Sequence, residues 1–359
     1  VRIFNKAISA SEVTTLYNEI QCANTITAPE NYFDTKLYTG TGSSQNVTGL
    51  NFAPGFVWIK DRSAGNWHNL QDTIRGATKH VYANAANAQD TTSDGLTAFN
   101  SDGFTIGGGG GFGNNGNNFV SWNWKAASSN TTNNDGTIAS TVRASQESGF
   151  SIVTYSPNNT VGMSIGHGLS KAPSLVITKR LGASQDWGVY TNVSTNNTTT
   201  NWLSLNDGDA YGSGSYMTIK STTLELPATG AFWATASSNQ VAYCFANIDG
   251  YQRIGSYVGT GTPENFIYTG FEPAWVLIKN VSTGSKNWVI ADNKRDNADE
   301  WLYANDPSAA YDDANTYTKF YANGFSVANN GSYVNTSGDS YIFLAIAANP
   351  DTTAPTKAN

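Results

Sequence analysis

The side chains that most often do chemistry in proteins are scarce and widely spaced in this sequence. Its three histidines are His68, His80 and His167, and no spacing among them matches a metal cluster or a nucleophile with its base. We expect each histidine to be a surface or turn residue. The two cysteines, Cys22 and Cys244, lie far apart and predict isolated thiols. The sequence therefore predicts that this protein is not an enzyme.

Loops rich in glycine and asparagine offer two further kinds of site. Four of their aspartates could bind calcium, but the spacing matches no ordered calcium loop; they are Asp207, Asp209, Asp312 and Asp313. The prediction is no cofactor, with calcium as the open alternative. The glycine run 107–111 lacks the Lys-Ser/Thr pair of a phosphate-binding loop and predicts a flexible loop tip.

An Asp-x-x-Arg pair occurs twice in the chain. Asp72 with Arg75 recurs as Asp292 with Arg295, whereas a third comparable stretch has Asn192 instead of an acid. We interpret the pair as an ion pair that braces a loop, rather than as a ligand contact.

Aromatic side chains have the greatest potential for recognition, because Trp and Tyr rings stack on sugars while loop Asn, Asp and Thr supply hydrogen bonds. Six strand tryptophans are predicted to be core: Trp58, Trp122, Trp124, Trp187, Trp275 and Trp288. The candidate ligand-binding residues, for a glycan or another partner, are four tyrosines in or beside loops: Tyr211, Tyr216, Tyr311 and Tyr333.

The composition favours an all-β fold. Charged residues make up 13% and aromatic residues 12% of the 359 residues, with 35 glycines and long Asn/Thr/Ser stretches, which suit short strands and polar turns. A net charge of −7 and a pI near 4.9 argue against a nucleic-acid partner. No apolar run reaches the length of about 20 residues that a membrane-spanning helix needs, so no membrane insertion is predicted.

Three copies of one unit follow each other along the chain. The first marker of each copy is an apolar strand that follows a proline turn and ends in lysine, at Lys60, Lys179 and Lys279. A second aromatic strand follows, which aligns Trp67 with Trp187 and Trp288. The next markers are an asparagine (Asn84, Asn206, Asn305) and a glycine-containing hairpin turn. Each copy ends in a closing strand, which aligns Cys244 with Asn123 and Ala345.

The copies are too long for solenoid repeats and predict tandem β-sandwich or jelly-roll-like units. We place β-repeat 1 at 31–127, a polar linker at 128–145, β-repeat 2 at 146–251 and β-repeat 3 at 254–348. The junction near Gly250 is short, so repeats 2 and 3 are expected to share an interface.

The two ends of the chain read differently from the repeats. Residues 1–13 predict a strand, a turn and a short N-terminal helix with a capping box of Ser9 and Glu12. This stretch resembles the last strand and terminal helix of concanavalin-like (laminin G-like) sandwich domains, so 1–30 is expected to end an upstream lectin-like domain. The proline-punctuated segment 349–359 is similar to the lead-in to bacterial immunoglobulin-like domains and predicts a linker to a further domain.

Several repeat motifs together resemble a known family over almost the whole chain. They include the strand ending at Lys60, the turn before Phe104, the stretch from Trp122 to Lys125 and the stretch from Tyr268 to Trp275. These are similar to the repeated β-domain of bacteriophage tail-fibre-like virion proteins of marine and cyanobacterial phages. The resemblance brings no catalytic residues.

The resemblance implies a structural or host-recognition protein at the virion surface, assembled from sister subunits as a homotrimer. The expected function is host-surface recognition, with a cell-surface polysaccharide as the partner. The alternatives are a purely architectural decoration or spacer that binds only sister subunits, and a bacterial surface adhesin. A concave polar face with exposed rings would favour glycan binding, whereas a large apolar patch would favour assembly.

Overall fold

A computed structural model describes residues 26–193, 201–213, 217–226, 238–295, 300–312, 318–327 and 333–349. This part of the chain is all-β, as predicted, and its helical content is one 3₁₀ turn at Pro29–Asn31. The predicted N-terminal strand and helix and the polar stretch 350–359 lie outside the described residues.

The described strands fall into three sets that follow the three sequence repeats. Repeat 1 contains β1 (Phe33–Thr39), β2 (Gln45–Val47), β3 (Phe56–Asp61), β4 (Asn69–Asp72), β5 (Lys79–Tyr82), β6 (Asp90–Thr91), β7 (Leu96–Asn100), β8 (Gly103–Ile106) and β9 (Asn118–Trp124). Repeat 2 contains β10 (Thr131–Asn133), β11 (Ser140–Ser145), β12 (Phe150–Tyr155), β13 (Ser164–Gly166), β14 (Leu175–Arg180), β15 (Gly188–Thr191), β16 (Asn201–Trp202), β17 (Gly212–Ser213), β18 (Thr218–Ile219), β19 (Thr223–Glu225) and β20 (Gln240–Phe245). Repeat 3 contains β21 (Gln252–Val258), β22 (Asn265–Tyr268), β23 (Pro273–Asn280), β24 (Val289–Asp292), β25 (Glu300–Tyr303), β26 (Tyr311–Asp312), β27 (Thr318–Tyr321), β28 (Gly324–Val327) and β29 (Ser340–Ala347).

Each repeat is a sandwich of one large and one small antiparallel sheet, and repeat 2 also has a two-stranded sheet of β16 and β17. The large sheets have the orders β1-β9-β3-β4-β5-β6, β10-β11-β12-β20-β14-β15 and β21-β29-β23-β24-β25-β26. The small sheets are β2-β8-β7, β13-β19-β18 and β22-β28-β27. In every copy the closing strand (β9, β20 or β29) lies between the lysine-ending strand (β3, β14 or β23) and an equivalent strand on its other side (β1, β12 or β21), so the three repeats share one topology.

Both faces of each large sheet are buried, which explains why its central strands are apolar rather than alternating. In β3, Phe56 and Trp58 face a core shared with the other repeats, whereas Val57 and Ile59 face the small sheet of repeat 1. The register also places Cys244 level with Asn123 and Ala345, as predicted.

The inner faces of the three large sheets meet in one aromatic core. The rings of Phe56 and Tyr243 join repeats 1 and 2 at 4.3 Å between centroids, and those of Trp124 and Trp275 join repeats 1 and 3 at 5.6 Å. All six tryptophans predicted to be core are buried. The repeats therefore form a three-membered ring around a common centre.

The lysines that end the apolar strands, Lys60, Lys179 and Lys279, bind neighbouring repeats to one another, and we call them the marker lysines. Each is fully buried, and its ammonium group donates to carbonyl oxygens of its own loop and of the preceding repeat in the ring. The bonds between repeats run from Lys60 to Pro307 (2.9 Å), from Lys179 to Ala86 (3.1 Å) and from Lys279 to Gly208 (2.9 Å). Repeat 1 thus binds repeat 3, repeat 2 binds repeat 1, and repeat 3 binds repeat 2.

A backbone hydrogen bond recurs at the same three interfaces between repeats, which we call seams. It joins Gln89 N to Leu181 O, Tyr211 N to Val281 O and Ala310 N to Arg62 O. Each interface uses one surface of one repeat and a different surface of the next, and a head-to-tail arrangement of this kind forms a ring when its rotation closes.

The marker asparagines correct the sequence alignment by one residue. Each side-chain oxygen accepts a hydrogen bond from a backbone N–H at the start of the second strand, at 2.8 Å; the pairs are Asn84 with His68, Asn206 with Trp187 and Asn305 with Trp288. His68 is therefore the counterpart of Trp187 and Trp288, and the alignment of Trp67 with them was wrong.

Both ends of the described chain meet at one end of the ring. The ring of Tyr251 lies 6.0 Å from that of Tyr32, and the carbonyl of Tyr251 accepts a hydrogen bond from Ala347 N at 2.7 Å. The stretch predicted as a polar linker, 128–145, contains β10 and β11, and β11 pairs with β12 along its whole length. Its Ser/Thr-rich sequence extends the large sheet of repeat 2.

Replacing Trp275 by alanine tests the shared core. We expect Trp275→Ala to lower the free energy of unfolding by about 3–5 kcal/mol, because it leaves a cavity between Trp122 and Trp124. Urea titration measures this loss, and Leu37→Ala on an exposed side chain serves as the control. A loss of less than about 1 kcal/mol would contradict the central position of Trp275.

The buried lysines predict an unusual pH dependence. Burial lowers the pKa of Lys60, Lys179 and Lys279 from 10.5 to about 8. Between pH 8 and 9.5 the unfolded chain keeps protons that the folded chain has released, so stability should rise with pH in this window. Cys244 opposes this trend from about pH 9, and Tyr243 and Tyr257 oppose it from about pH 10, because burial raises their pKa values and the folded chain keeps protons that the unfolded chain has lost.

Urea titrations at pH 7.5, 8.5 and 9.5 measure this slope. Lys279→Met should make the slope shallower and lower the stability at pH 7.5 by about 1–3 kcal/mol, because it removes the side-chain donor to the Lys286 carbonyl and one of the two donors to the Gly208 carbonyl. Lys171→Met, at an exposed position, should change neither quantity. An unchanged slope in Lys279→Met would show that this lysine does not titrate in the window.

Candidate functional site

The outer face of the small sheet in repeat 3 carries a group of exposed aromatic rings. Phe266 and Tyr268 project from β22 and Tyr321 from β27, and they are 47%, 58% and 38% exposed. The rings of Phe266 and Tyr321 are 5.8 Å apart in an edge-to-face arrangement. We call these three residues the repeat 3 aromatic patch.

The fold does not require aromatic side chains at these positions. Register pairs Phe266 with Ser326 and Tyr321 with Gly324, and the matching pairs in repeat 1 involve Asn46 and Asn100. In repeat 1 these two asparagines and Thr105 form a polar network, with Asn100 Nδ2 to Thr105 Oγ1 at 3.0 Å and Thr105 Oγ1 to Asn46 Oδ1 at 2.7 Å. The aromatic patch is thus a special feature of repeat 3.

A cleft of about 480 Å³ opens beside Tyr268, at the junction of repeats 2 and 3. The guanidinium carbon of Arg253 lies 5.9 Å from the centre of the Tyr268 ring. Asn247 and Asp249 line the same cleft, and Asn247 Oδ1 accepts a hydrogen bond from Ile254 N at 2.6 Å. An exposed ring next to fixed polar groups in a concavity is the usual composition of a sugar site.

The four tyrosines predicted from the sequence lie elsewhere. Tyr211 is partly buried against the shared core at the seam of repeats 2 and 3. Tyr333 packs at 5.3 Å on the ring of Tyr303, with the Lys286 ammonium 5.9 Å from its centre. Tyr216 lies outside the described residues, and Tyr311 belongs to β26, where the structure describes only the backbone. Their role in binding stays a prediction.

The expectation of surface histidines was wrong, because His68, His80 and His167 are all buried. His68 fills a slot that holds Trp in the other repeats, and its Nδ1 accepts a hydrogen bond from Trp58 Nε1 at 2.9 Å. His167 accepts one from Leu169 N at 3.1 Å. Burial lowers the pKa of each, so these imidazoles are neutral structural groups near pH 7.

The acidic and glycine-rich candidates have structural contacts. Asp207 Oδ1 accepts a hydrogen bond from Asp209 N at 2.9 Å, whereas Asp313 and the side chain of Asp312 lie outside the description. Within the described ranges no three His, Cys, Asp or Glu side chains are grouped as metal ligands. The glycine run is packed rather than open, since Gly107 and Gly111 are buried and Gly108 N donates to Asp94 Oδ1 at 2.9 Å.

The Asp-x-x-Arg pairs are braces, as interpreted, and they also act between repeats. Asp72 accepts a hydrogen bond from the Tyr243 hydroxyl at 2.9 Å, and Asp292 accepts one from Trp122 Nε1 at 2.9 Å. Both pairs are buried and turn the chain through bonds to their own backbone. At the remaining seam the residue in register with Tyr243 is Leu344, which has no polar group to bind.

One protein family covers this architecture. A family model described as "Domain of unknown function (DUF7483)" matches residues 28–350. The chain belongs to this family. The DUF7483 match spans all three repeats as a single unit, in agreement with their shared core. No curated protein and no solved structure matches the chain. Among the described residues no helix is long and apolar enough to cross a membrane.

Sequence reasoning missed the repeat 3 aromatic patch in this DUF7483 chain, although a signal was present. Tyr321 stands three residues before Gly324, and Asn100 stands three residues before Gly103 in the equivalent turn. A comparison of copies at this turn would have shown a polar residue replaced by an aromatic one. The four tyrosines predicted from the sequence lie in or beside loops, whereas the rings of the patch project from strands.

Exchanging the patch for its repeat 1 counterparts should leave the fold intact. The triple variant Phe266→Asn, Tyr268→Thr and Tyr321→Asn removes exposed rings only, so we expect its free energy of unfolding to stay within about 1 kcal/mol of the parent. Urea titration with circular dichroism measures this. A loss of several kcal/mol would mean that the rings support the small sheet and are not available for a ligand.

Proposed function

We propose that this chain is a non-enzymatic display module of a virion appendage that recognises a cell-surface polysaccharide through the repeat 3 aromatic patch and its cleft. The observation that carries the proposal is the presence of Phe266 and Tyr321 at the positions that Asn46 and Asn100 occupy in repeat 1, with Tyr268 exposed beside them. Exposing three rings where polar side chains suffice has no benefit for folding. The virion origin, with its location at the virion surface, rests on the sequence resemblance; the alternative owner is a bacterial surface adhesin.

The position of the chain ends supports a module that projects from its parent. Tyr32 and Ala347 lie at the same end of the ring, where Tyr251 contacts both. A spacer within a rod would more simply enter at one end and leave at the other. In the proposed display module, the opposite end and the flanks of the ring would meet the target.

The proposed site combines the two kinds of contact that sugars need. Tyr268 offers a ring face, and Arg253, Asn247 and Asp249 offer donors and acceptors in the adjoining cleft. Calcium remains an open alternative that a chelator can test. A homotrimer of sister subunits also remains a proposal, and it would use another surface because three repeats of one chain already fill the central core.

An architectural role is the second candidate, and the sheet edges favour it. β1 and β21 are edge strands of their large sheets in the described chain, whereas the equivalent β12 is covered by β11 and β10. An open strand edge can pair with a strand of another subunit. Leu37 on β1 and Val258 on β21 are exposed apolar side chains at these edges.

Polysaccharide binding is the direct test. The purified chain is applied to an array of bacterial surface polysaccharides and to whole host cells, with and without a calcium chelator. We expect saturable binding to one glycan class that the triple patch variant loses, while the control Val161→Asn, which changes an exposed apolar residue elsewhere, keeps it.

Two results would contradict the proposal. Binding that the triple patch variant retains would place the receptor site elsewhere. No binding at all, together with concentration-dependent self-association measured by light scattering, would favour the architectural role. Light scattering of the unmutated chain also tests the homotrimer.

A further inference from the structure

A second aromatic feature lies on repeat 1, at Trp67. Its side chain is 41% exposed, although the tryptophans that follow the same hairpin in repeats 2 and 3, Trp187 and Trp288, are buried. The difference arises because His68 occupies the buried slot in repeat 1 and Trp67 comes one residue earlier.

The position that Trp67 occupies is polar in the other two repeats. Register places Asp186 and Asn287 there, and their side-chain oxygens accept hydrogen bonds from the marker asparagines Asn206 and Asn305, each at 2.8 Å. Repeat 1 thus has an indole where the fold elsewhere uses a hydrogen-bond acceptor. Packing on Tyr82 covers part of the indole, but 41% of the side chain stays exposed to solvent.

A chain of contacts links the indole to two polar side chains. The ring of Trp67 meets that of Tyr82 edge to face at 4.7 Å, and the Tyr82 hydroxyl lies 2.8 Å from His80 Nε2. The Asp90 carboxylate is 63% exposed and lies 4.0 Å from the same His80 nitrogen. The Tyr82 hydroxyl oxygen and the solvent-exposed Asp90 carboxylate are therefore the acceptors that this chain of contacts connects to the indole.

The glycine run unique to repeat 1 supports this arrangement. Asn69 Nδ2 donates to the carbonyls of both Trp67 (3.1 Å) and Gly111 (3.2 Å). Gly111 has a φ of +84°, and a Cβ there would lie 2.9 Å from Asn69 Nδ2. Two features that distinguish repeat 1 in sequence, the displaced tryptophan and the glycine run, therefore meet in space.

We propose that Trp67, Tyr82 and Asp90 form a second sugar-binding site, for a neutral pyranose. The indole face would pack against the C–H face of the sugar ring, and its hydroxyl groups would donate to Asp90 and to the Tyr82 oxygen. Asp90 disfavours carboxylated or sulfated sugars by charge repulsion. Trp67 follows the Asp61 end of β3, remote from the Phe56 end, near which the two ends of the described chain meet.

Replacing Trp67 by the residue of repeat 3 gives a matched test. Trp67→Asn should fold with an unchanged or higher unfolding midpoint, because Asn287 is the natural residue at this position in repeat 3. Affinity electrophoresis in gels containing dextran, mannan or galactan measures binding to neutral sugars, with alginate as the acidic comparison. We expect retardation by at least one neutral polysaccharide, a loss of about tenfold or more in affinity for Trp67→Asn, and retention within about threefold for Trp67→Tyr.

Further variants keep the outcome decisive. Asp90→Asn changes an exposed side chain and should weaken neutral binding or admit alginate, whether or not Trp67→Asn folds. The triple patch variant of repeat 3 should keep the Trp67-dependent binding, so failure of the repeat 3 proposal is separate from failure of this one. No retardation by any neutral polysaccharide, equal retardation of Trp67→Asn and the parent, or a Trp67-dependent preference for alginate would each overturn the inference.

Discussion

Closure of three sandwiches around one aromatic centre is the constraint on which the rest of the structure depends. A large sheet covered on one face by a small three-stranded sheet still leaves a row of large apolar side chains on its other face, among them Trp58 and Tyr243. A single repeat could not cover this second face, so the repeats must cover it for one another. The family match over the whole of 28–350 describes the same unit.

The marker lysines supply hydrogen bonds to carbonyl groups that closure of the ring buries. Loops brought together at the seams carry backbone carbonyls that lose water, and unpaired buried carbonyls are costly. One ammonium group with three donors can satisfy carbonyls from two repeats at once, as Lys179 does for Ala86, Arg180 and Gln185. Desolvation lowers the pKa of the group to about 8, which is the electrostatic consequence of using a charge as a seam contact.

Where the copies differ in sequence, two residues that contact each other have changed together, so that their hydrogen bond is kept. In repeat 1, Asp61 accepts a hydrogen bond from Asn117 at 2.7 Å; in repeat 3 the roles are exchanged, and Asn280 donates to Asp339 at 2.8 Å. The seams behave similarly, since an acidic partner is present where the neighbour offers Tyr243 or Trp122. Positions outside these contacts were free to change, and the exposed rings of Tyr268 and Trp67 are found among them.

The sequence by itself determined the strand class, the three copies, the core tryptophans and the register of Cys244, because alternation, turn residues and internal similarity are local or periodic properties. Only the tertiary structure showed that the copies share one core, since a strand buried on both faces has the same apolar sequence whether it is covered within its own repeat or by another. The tertiary structure also decided the candidate sites. A shift of one residue buries His68 and exposes Trp67. A pattern of aromatic residues cannot reveal which of two neighbouring side chains faces solvent, because that depends on the carbonyls and rings that the next repeat places at the seam.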